Sequence, residues 1–364
     1  MISSNTTLAL PGPGAQISAS RSCCVPRSDH RHSLKQIRAS AKACSTLAEA
    51  GSSRRDALIA AGVAAGLPLL AGALPADAGQ QQIKISNLSV FQKASQLQFL
   101  VERAQLELKK DLTAADRPTA WRLLFNDAAT YNVQTGKGGV NGSVILNGEL
   151  GRQANKDLKP YVEKLRKAKK AIDARGAQEG QAPVTWADLI VIGAKVATVL
   201  EWNEIKEKRN PSAEGGVSIA KLFGAEWQIQ LGREDATQPD PEVKIPTTDS
   251  SVDEIRDFLF QLGNTTPEGG LKAFFSGKPP FYERPGFLVW TYAQPDPAKA
   301  EAKLGADPRF APYKTQYDRS RETLTRAEYE VDTIQYFNEL SKLGAKFNSN
   351  RYYFDVNVDL PDIR

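Results

Sequence analysis

Apolar residues recur at three- and four-residue spacing along much of the chain, with polar and charged residues between them. This period is that of an amphipathic α-helix. It predicts helices over residues 90–108, 121–129, 161–172, 185–199, 252–262 and 331–343. Thr185 and Asp188 form a capping-box-like start for the fourth of these. The pattern predicts a mainly α fold, either one continuous domain or two closely packed helical lobes.

Two stretches interrupt this periodicity, and the end of the chain changes it. Residues 206–216 are polar and end near Pro211 and two glycines, so we expect a loop; residues 276–287 are rich in Gly and Pro and should be irregular. From Phe354 to Leu360, apolar residues alternate with Asp and Asn, which predicts an extended strand. We therefore expect a helical domain over 79–345 and an extended C-terminal tail, 346–364, that packs against it.

The helix predicted around residues 161–172 carries a run of cations opposite its apolar stripe. They are Lys164, Arg166, Lys167, Lys169 and Lys170. Such a run is typical of a solvated helix face. A docking face for an acidic partner is the alternative, and the sequence leaves both open.

The first 78 residues have the composition of targeting segments. Residues 1–50 are rich in Ser, Ala and basic residues and poor in acids, which indicates a chloroplast transit peptide. Residues 51–78 contain Arg54-Arg55, an apolar run, and Ala76-Asp77-Ala78, which together indicate a twin-arginine signal. A transmembrane helix is the alternative, but the run is rich in Ala and Gly and ends in a cleavage motif. We expect a protein of the chloroplast thylakoid lumen, peripheral to the membrane and not transmembrane after processing.

The charge balance changes once this leader is set aside. The chain has 47 Lys and Arg against 42 Asp and Glu; the leader holds eight and four of these, so a net +5 becomes +1 after residue 78. That balance predicts no nucleic-acid partner.

The composition beyond residue 44 also excludes several kinds of chemistry. Every histidine, cysteine and methionine lies within the first 44 residues, at positions 1, 23, 24, 30, 32 and 44. Disulfides, thiolate metal sites and His-dependent nucleophiles are therefore excluded from the rest of the chain.

Five short segments, in order, resemble the class I haem peroxidases of the ascorbate peroxidase branch. They are residues 122–130 (RLLFNDAAT), 149–155 (EL followed by AN), 185–189 (TWADL), 231–235 (LGRED) and 307–312 (DPRFAP). The resemblance covers about 90–345 and implies a haem-peroxidase-like helical fold. It also implies two functional histidines, one distal to the haem and one that ligates its iron.

Both implied histidines are missing. Asn126 occupies the distal position, and a carboxamide has no proton that titrates in the useful range for acid–base catalysis. The distal arginine is present as Arg122, and the residue that orients the distal histidine is present as Asn155, which we expect to have nothing left to orient. Either Lys278 or Gln294 occupies the iron-ligand position, depending on the alignment. We therefore expect no catalytic residue and no haem.

One loop resembles the distal calcium site of secretory and fungal peroxidases. Its residues are Asp127, Gly139, Asn141 and Ser143, with Asn141 at a position that is usually Asp. The missing charge weakens Ca²⁺ binding, so we expect no metal. A tight glycine-rich turn with Asp127 bonded to nearby backbone is the alternative interpretation.

These observations favour a non-catalytic peroxidase-fold protein of the lumen. The resemblance implies association with photosystem II or another thylakoid membrane complex, as a structural or assembly factor. One alternative is a haem-dependent ascorbate peroxidase with atypical haem ligation, acting in hydrogen peroxide removal under oxidative stress. Another is a carrier that binds a small anion around Arg122, Asn126 and Asn155.

Overall fold

Helices form most of the described structure, which confirms the predicted mainly α class. A computed structural model describes residues 80–210, 212, 227–262, 264–265, 271–272, 287–324 and 326–359. The predictions for residues 1–78, for most of the irregular stretch 276–287 and for Lys278 fall outside the described residues. All described residues lie within one compact unit.

The first group of helices surrounds a long central one. They are α1 (Val90–Leu108), α2 (Arg117–Ala128), the short α3 (Asn147–Leu150), α4 (Lys159–Gln178) and α5 (Trp186–Arg209). A capping box between Ser89 and Gln92 starts α1. The Thr185 hydroxyl accepts the Asp188 backbone N–H and starts α5, as predicted. The N-terminal half of α5 is buried almost all round, because α1, α2 and α4 pack against it.

The second group follows in the C-terminal half of the chain. It comprises α6 (Val252–Gln261), α7 (Phe287–Tyr292), α8 (Pro297–Gly305), α9 (Ala311–Glu322) and α10 (Ala327–Leu340). Two short antiparallel strands, β2 (Asn264–Thr265) and β3 (Leu271–Lys272), lie between α6 and α7. Helices α7 to α10 pack on one another in sequence order, and α7 also packs against α2, so it joins the two groups.

Aromatic side chains fill the contact between the two groups. The ring of Trp121 on α2 lies 4.7 Å from Tyr292 and 5.3 Å from Phe337, and Trp227 lies 4.6 Å from Phe337. Each such pair contributes about 0.5–1.5 kcal/mol beyond burial itself. These contacts fix the position of α2, which carries the candidate site.

Helix α5 continues into the stretch predicted to be a loop. It ends at Arg209 rather than before residue 206. The cause is tertiary: Lys206 is fully buried and forms an ion pair with Glu330 of α10. The loop prediction was therefore wrong for residues 206–209.

The C-terminal tail is built into the fold. Its strand β4 (Val356–Asp359) pairs antiparallel with β1 (Gln80–Ile83), in the register Gln80 to Asp359. Upstream, the Asn348 backbone N–H donates to the Gly232 carbonyl at 2.7 Å, and Tyr352 is buried. The predicted strand is confirmed, and its pairing partner lies at the other end of the described chain.

Candidate functional site

Helix α2 carries the residues at the distal position. Arg122 and Asn126 are one turn apart on it, and Asp127 follows directly. Asn126 is 5% exposed and Asp127 is completely buried. The sequence therefore correctly placed these side chains on one helix, and two of them lie in the interior.

The Asn126 amide is held by two protein acceptors. Its Nδ2 donates to Asn155 Oδ1 at 2.7 Å and makes a longer contact, 3.4 Å, with the Ala154 carbonyl oxygen. Asn155 in turn donates from Nδ2 to the Glu149 carbonyl oxygen at 3.0 Å. The expectation that Asn155 has nothing to orient was wrong, because it orients Asn126. The two amides are hydrogen-bonded to each other, and neither can transfer a proton near neutral pH.

Arg122 is already engaged by a carboxylate. Its guanidinium, 13% exposed, forms an ion pair with Asp157, whose side chain is 59% exposed. The sequence indicated no role for Asp157, which lies in the turn before α4. The Arg122 charge is already partly neutralised by this partner, which weakens the case for a small-anion carrier.

The residues present do not fit haem. The family's iron ligand is an imidazole, and the sequence contains no histidine after His32. Of the two candidate replacements, Gln294 is 5% exposed and its Nε2 donates to the Trp290 carbonyl oxygen at 3.2 Å. An amide committed to the backbone of its own helical turn is not a ligand for iron.

The loop that resembles a calcium site is closed by protein hydrogen bonds. Asp127 Oδ2 accepts the Gly142 N–H at 2.9 Å and Oδ1 accepts the Val144 N–H at 3.1 Å. Burial raises the pKa of Asp127 to about 8, and the nearby Glu149 and Asp240 act in the same direction. With both oxygens accepting backbone N–H groups, Asp127 has a structural role in this loop that requires no cation.

The other side chains of this loop also bond inward. Asn141 Nδ2 and Ser143 Oγ donate to Asp240 Oδ2 at 3.0 and 3.1 Å. Gly139 has φ +103°, and a Cβ there would collide with the Leu343 carbonyl oxygen, so this position requires glycine. Among the described residues, no cluster of three or more His, Cys, Asp or Glu side chains is arranged to hold a metal. The arrangement supports the hydrogen-bonded turn.

A buried ion-pair cluster lies under the 231–235 loop. Arg233 donates to Asp188 Oδ1 at 2.7 Å and to the Ser341 carbonyl at 2.8 Å, with both charged side chains fully buried. Tyr352 donates its hydroxyl proton to Asp188 Oδ2 at 2.7 Å. Asp235 accepts the first two backbone N–H groups of α5, each at 2.9 Å. The loop thus has a structural role, and the participation of Tyr352 had no signal in the sequence.

Comparison with known proteins agrees with this geometry. The peroxidase family model matches residues 101–269. The thylakoid lumenal 29 kDa protein of Solanum lycopersicum is 31% identical over 83% of this chain and 82% of its own length. The protein of the same name from Arabidopsis thaliana is 29% identical over the same shares. The crystal structure of the TL29 protein from Arabidopsis thaliana superposes with a TM-score of 0.60 at 27% identity, covering 72% of this chain and 98% of that one.

The fold and the arrangement around α2 define a protein of the peroxidase class. Within that class, the chain belongs to the family of thylakoid lumenal 29 kDa proteins. These relatives confirm the predicted location in the chloroplast thylakoid lumen. In the part of the chain that the structure describes, no helix has the length and apolarity needed to cross a membrane.

Proposed function

We propose that this chain is a non-catalytic peroxidase-fold protein of the thylakoid lumen, which acts as a structural or assembly factor on photosystem II or another thylakoid membrane complex. The observation that carries the proposal is the replacement of the distal histidine by an amide. Asn126 is buried and bonded to Asn155, and the sequence offers no histidine elsewhere in the domain.

Two separate losses support the absence of catalysis. Peroxide cleavage requires a distal base that takes a proton and returns it, and an amide bonded to another amide does neither. Iron ligation requires a proximal donor, and the described candidate, Gln294, is bonded to the backbone. Restoring one of these functions leaves the other missing.

The visible spectrum tests this proposal directly. The protein is purified from cells supplied with haem, beside an active ascorbate peroxidase prepared in the same way. We expect no stoichiometric Soret band from this chain and a full band from the control. A stoichiometric band that shifts on addition of peroxide would establish the alternative, a haem-dependent ascorbate peroxidase with atypical ligation.

The association with a membrane complex needs a test that leaves the fold intact. Deleting residues 346–364 is unsuitable, because Tyr352 and β4 belong to the buried framework. The role of the tail in this association is better tested by substituting exposed tail positions, such as Ser349 and Asn350, which should leave that framework unchanged. Co-migration of the full protein with photosystem II on native gels would support the association, and its recovery only in the soluble lumenal fraction would contradict it.

A further inference from the structure

Helix α4 has a high net positive charge, whereas the rest of the chain after residue 78 has a net negative charge. Its twenty residues contain seven Lys or Arg and two acids, a net charge of +5. The chain after residue 78 carries only +1, so the remainder of it is net negative by four charges. The net positive charge of the chain after residue 78 therefore depends on this one helix.

Part of that charge is neutralised inside the molecule. Lys164 pairs with Asp116 and Lys167 with Asp111, each within 2.7 Å. By contrast, Lys159, Lys170 and Arg175 are exposed and have no ion-pair partner among the described residues. Lys159 and Lys170 are eleven residues apart, which places them on the same face of the helix about 16 Å apart along its axis, and they form a stripe that an acidic surface can contact. Arg175 lies on another side of the helix.

An aromatic side chain lies at the edge of this stripe. Trp186, the first residue of α5, is half-buried. The Arg166 guanidinium lies 5.6 Å and the Lys169 ammonium 5.7 Å from the centre of its ring. Tryptophan and arginine are the side chains that most often dominate the energy of a protein interface.

The apolar side of α4 is not free for lipid. Its buried residues Tyr161, Val162, Leu165 and Ile172 belong to the hydrophobic core. A helix that lies in a membrane surface inserts its apolar face between the lipids. The exposed face of α4 offers charge and the Trp186 ring, a combination that suits carboxylates on a protein.

We infer that the exposed face of α4, together with Trp186, is the surface by which this protein docks on an acidic protein surface at the lumenal side of the thylakoid membrane. This inference rests on the proposed function and specifies its contact. Screening by salt weakens such a contact, because the Debye length is about 10 Å at 0.1 M ionic strength.

The test uses the full chain and its natural processing. Precursor labelled with tritiated leucine is imported into isolated chloroplasts, because every methionine and cysteine lies within the first 44 residues. The processed protein is then divided between thylakoid membranes and lumenal extract at increasing salt. Lys159→Glu with Lys170→Glu reverses two exposed, unpaired charges, so the fold should be unaffected. We expect the ratio of membrane-bound to free protein at low salt to fall about tenfold.

The matched control changes the net charge equally on other elements. Lys299 and Lys342 are exposed and lie outside α4. Lys299→Glu with Lys342→Glu should leave the ratio within about twofold of the unaltered protein. A drop equal to that of the α4 variant would show that only net charge matters and would overturn the inference.

Trp186 is tested by a graded pair of variants. Trp186→Ala should lower the bound ratio by roughly thirty-fold, the loss typical of an interface hot spot, whereas Trp186→Phe keeps most of the contact. Resistance to protease confirms that both variants are folded. A folded Trp186→Ala variant that binds as well as the unaltered protein would contradict the assigned anchor.

The remaining outcomes separate this inference from the proposed function. Recovery of the unaltered protein only in the lumenal extract would contradict the membrane association itself. If the unaltered protein and the α4 variant bind the membranes equally well, the docking surface is contradicted and the membrane association still stands. If the processed protein binds vesicles of galactolipid and phosphatidylglycerol as tightly as it binds thylakoid membranes, the inference that its partner is a protein is overturned.

Discussion

Two buried lysines on α5 should respond to the same substitution in opposite directions. Lys195 is 7% exposed, and its Nζ donates to the Trp227 carbonyl oxygen, with no carboxylate partner among the described residues. Burial lowers the pKa of Lys195 from its ordinary value of 10.5 to about 8. One pKa unit corresponds to about 1.4 kcal/mol, so keeping this ammonium charged at pH 7 costs the folded protein about 3 kcal/mol.

Lys195→Met removes that penalty and keeps a side chain of similar volume. It also leaves the Trp227 carbonyl without a donor, which costs about 1–2 kcal/mol. The unfolding free energy at pH 7 should therefore rise by about 1–2 kcal/mol. Because the folded pKa is below the unfolded one, the penalty is complete below pH 8 and disappears as the pH rises to 10.5. Between pH 7 and about pH 10, the advantage of the variant should fall by about 2–3 kcal/mol and change sign.

Lys206→Met makes the same change as Lys195→Met, but at a buried lysine that has an ion-pair partner. The Lys206 ammonium is ion-paired with Glu330, and both side chains are almost completely inaccessible to solvent. The substitution leaves a buried carboxylate whose remaining cationic partner among the described residues is the Arg326 guanidinium, 3.7 Å away. We expect a loss of about 3–5 kcal/mol. Burial raises the pKa of Glu330, and losing the lysine raises it further, so the loss should shrink in acid as this carboxyl takes up a proton.

Urea unfolding followed by tryptophan fluorescence measures both variants at pH 7 and about pH 10. Equal slopes against urea for all three proteins would show that the free energies can be compared. A Lys195→Met variant that is less stable at pH 7, or a difference that does not depend on pH, would refute the argument. A Lys206→Met variant that is more stable than the unaltered protein would refute the predicted cost of removing the ion pair.

Three further predictions concern the tail, the distal position and the glycine-rich loop. Tyr352→Phe should lower the unfolding free energy by about 2–3 kcal/mol, because a buried carboxylate loses a donor, whereas Tyr353→Phe should change it by less than about 0.5 kcal/mol; urea titration measures both. Asn126→His should not produce a Soret band in haem-supplemented cells, since the iron still lacks a ligand, and a band of full height would contradict this. Gly139→Ala should cost at least about 2 kcal/mol in thermal unfolding, while Gly136→Ala, which meets open space, should cost about 1 kcal/mol.

The sequence predicted best where the signal is local. Helix α4 buries a continuous apolar stripe, so its periodicity was sufficient to locate it. The periodicity also located α1, but the predicted stripe is only partly buried there: Val90 is exposed, and the buried face includes Gln96 and Arg103. Strand β1 was missed because Gln80 to Gln82 shows no alternation, and only its pairing with β4 makes it a strand. The end of α5 was missed for a similar reason, since a long-range ion pair at Lys206 stabilises a polar helical turn.

The candidate site shows why matching family motifs are evidence for the fold and not for the activity. Asp188 and Arg233 lie in two of the matching segments, and they form a fully buried ion pair. Losing either partner of such a pair costs about 3–5 kcal/mol whether or not haem is bound, so folding alone is a reason to keep both. Asn155 has a similar reason, because it bonds Asn126 and the Glu149 carbonyl. Residues that resemble those of a working peroxidase thus have structural roles of their own, and their presence is no argument for catalysis.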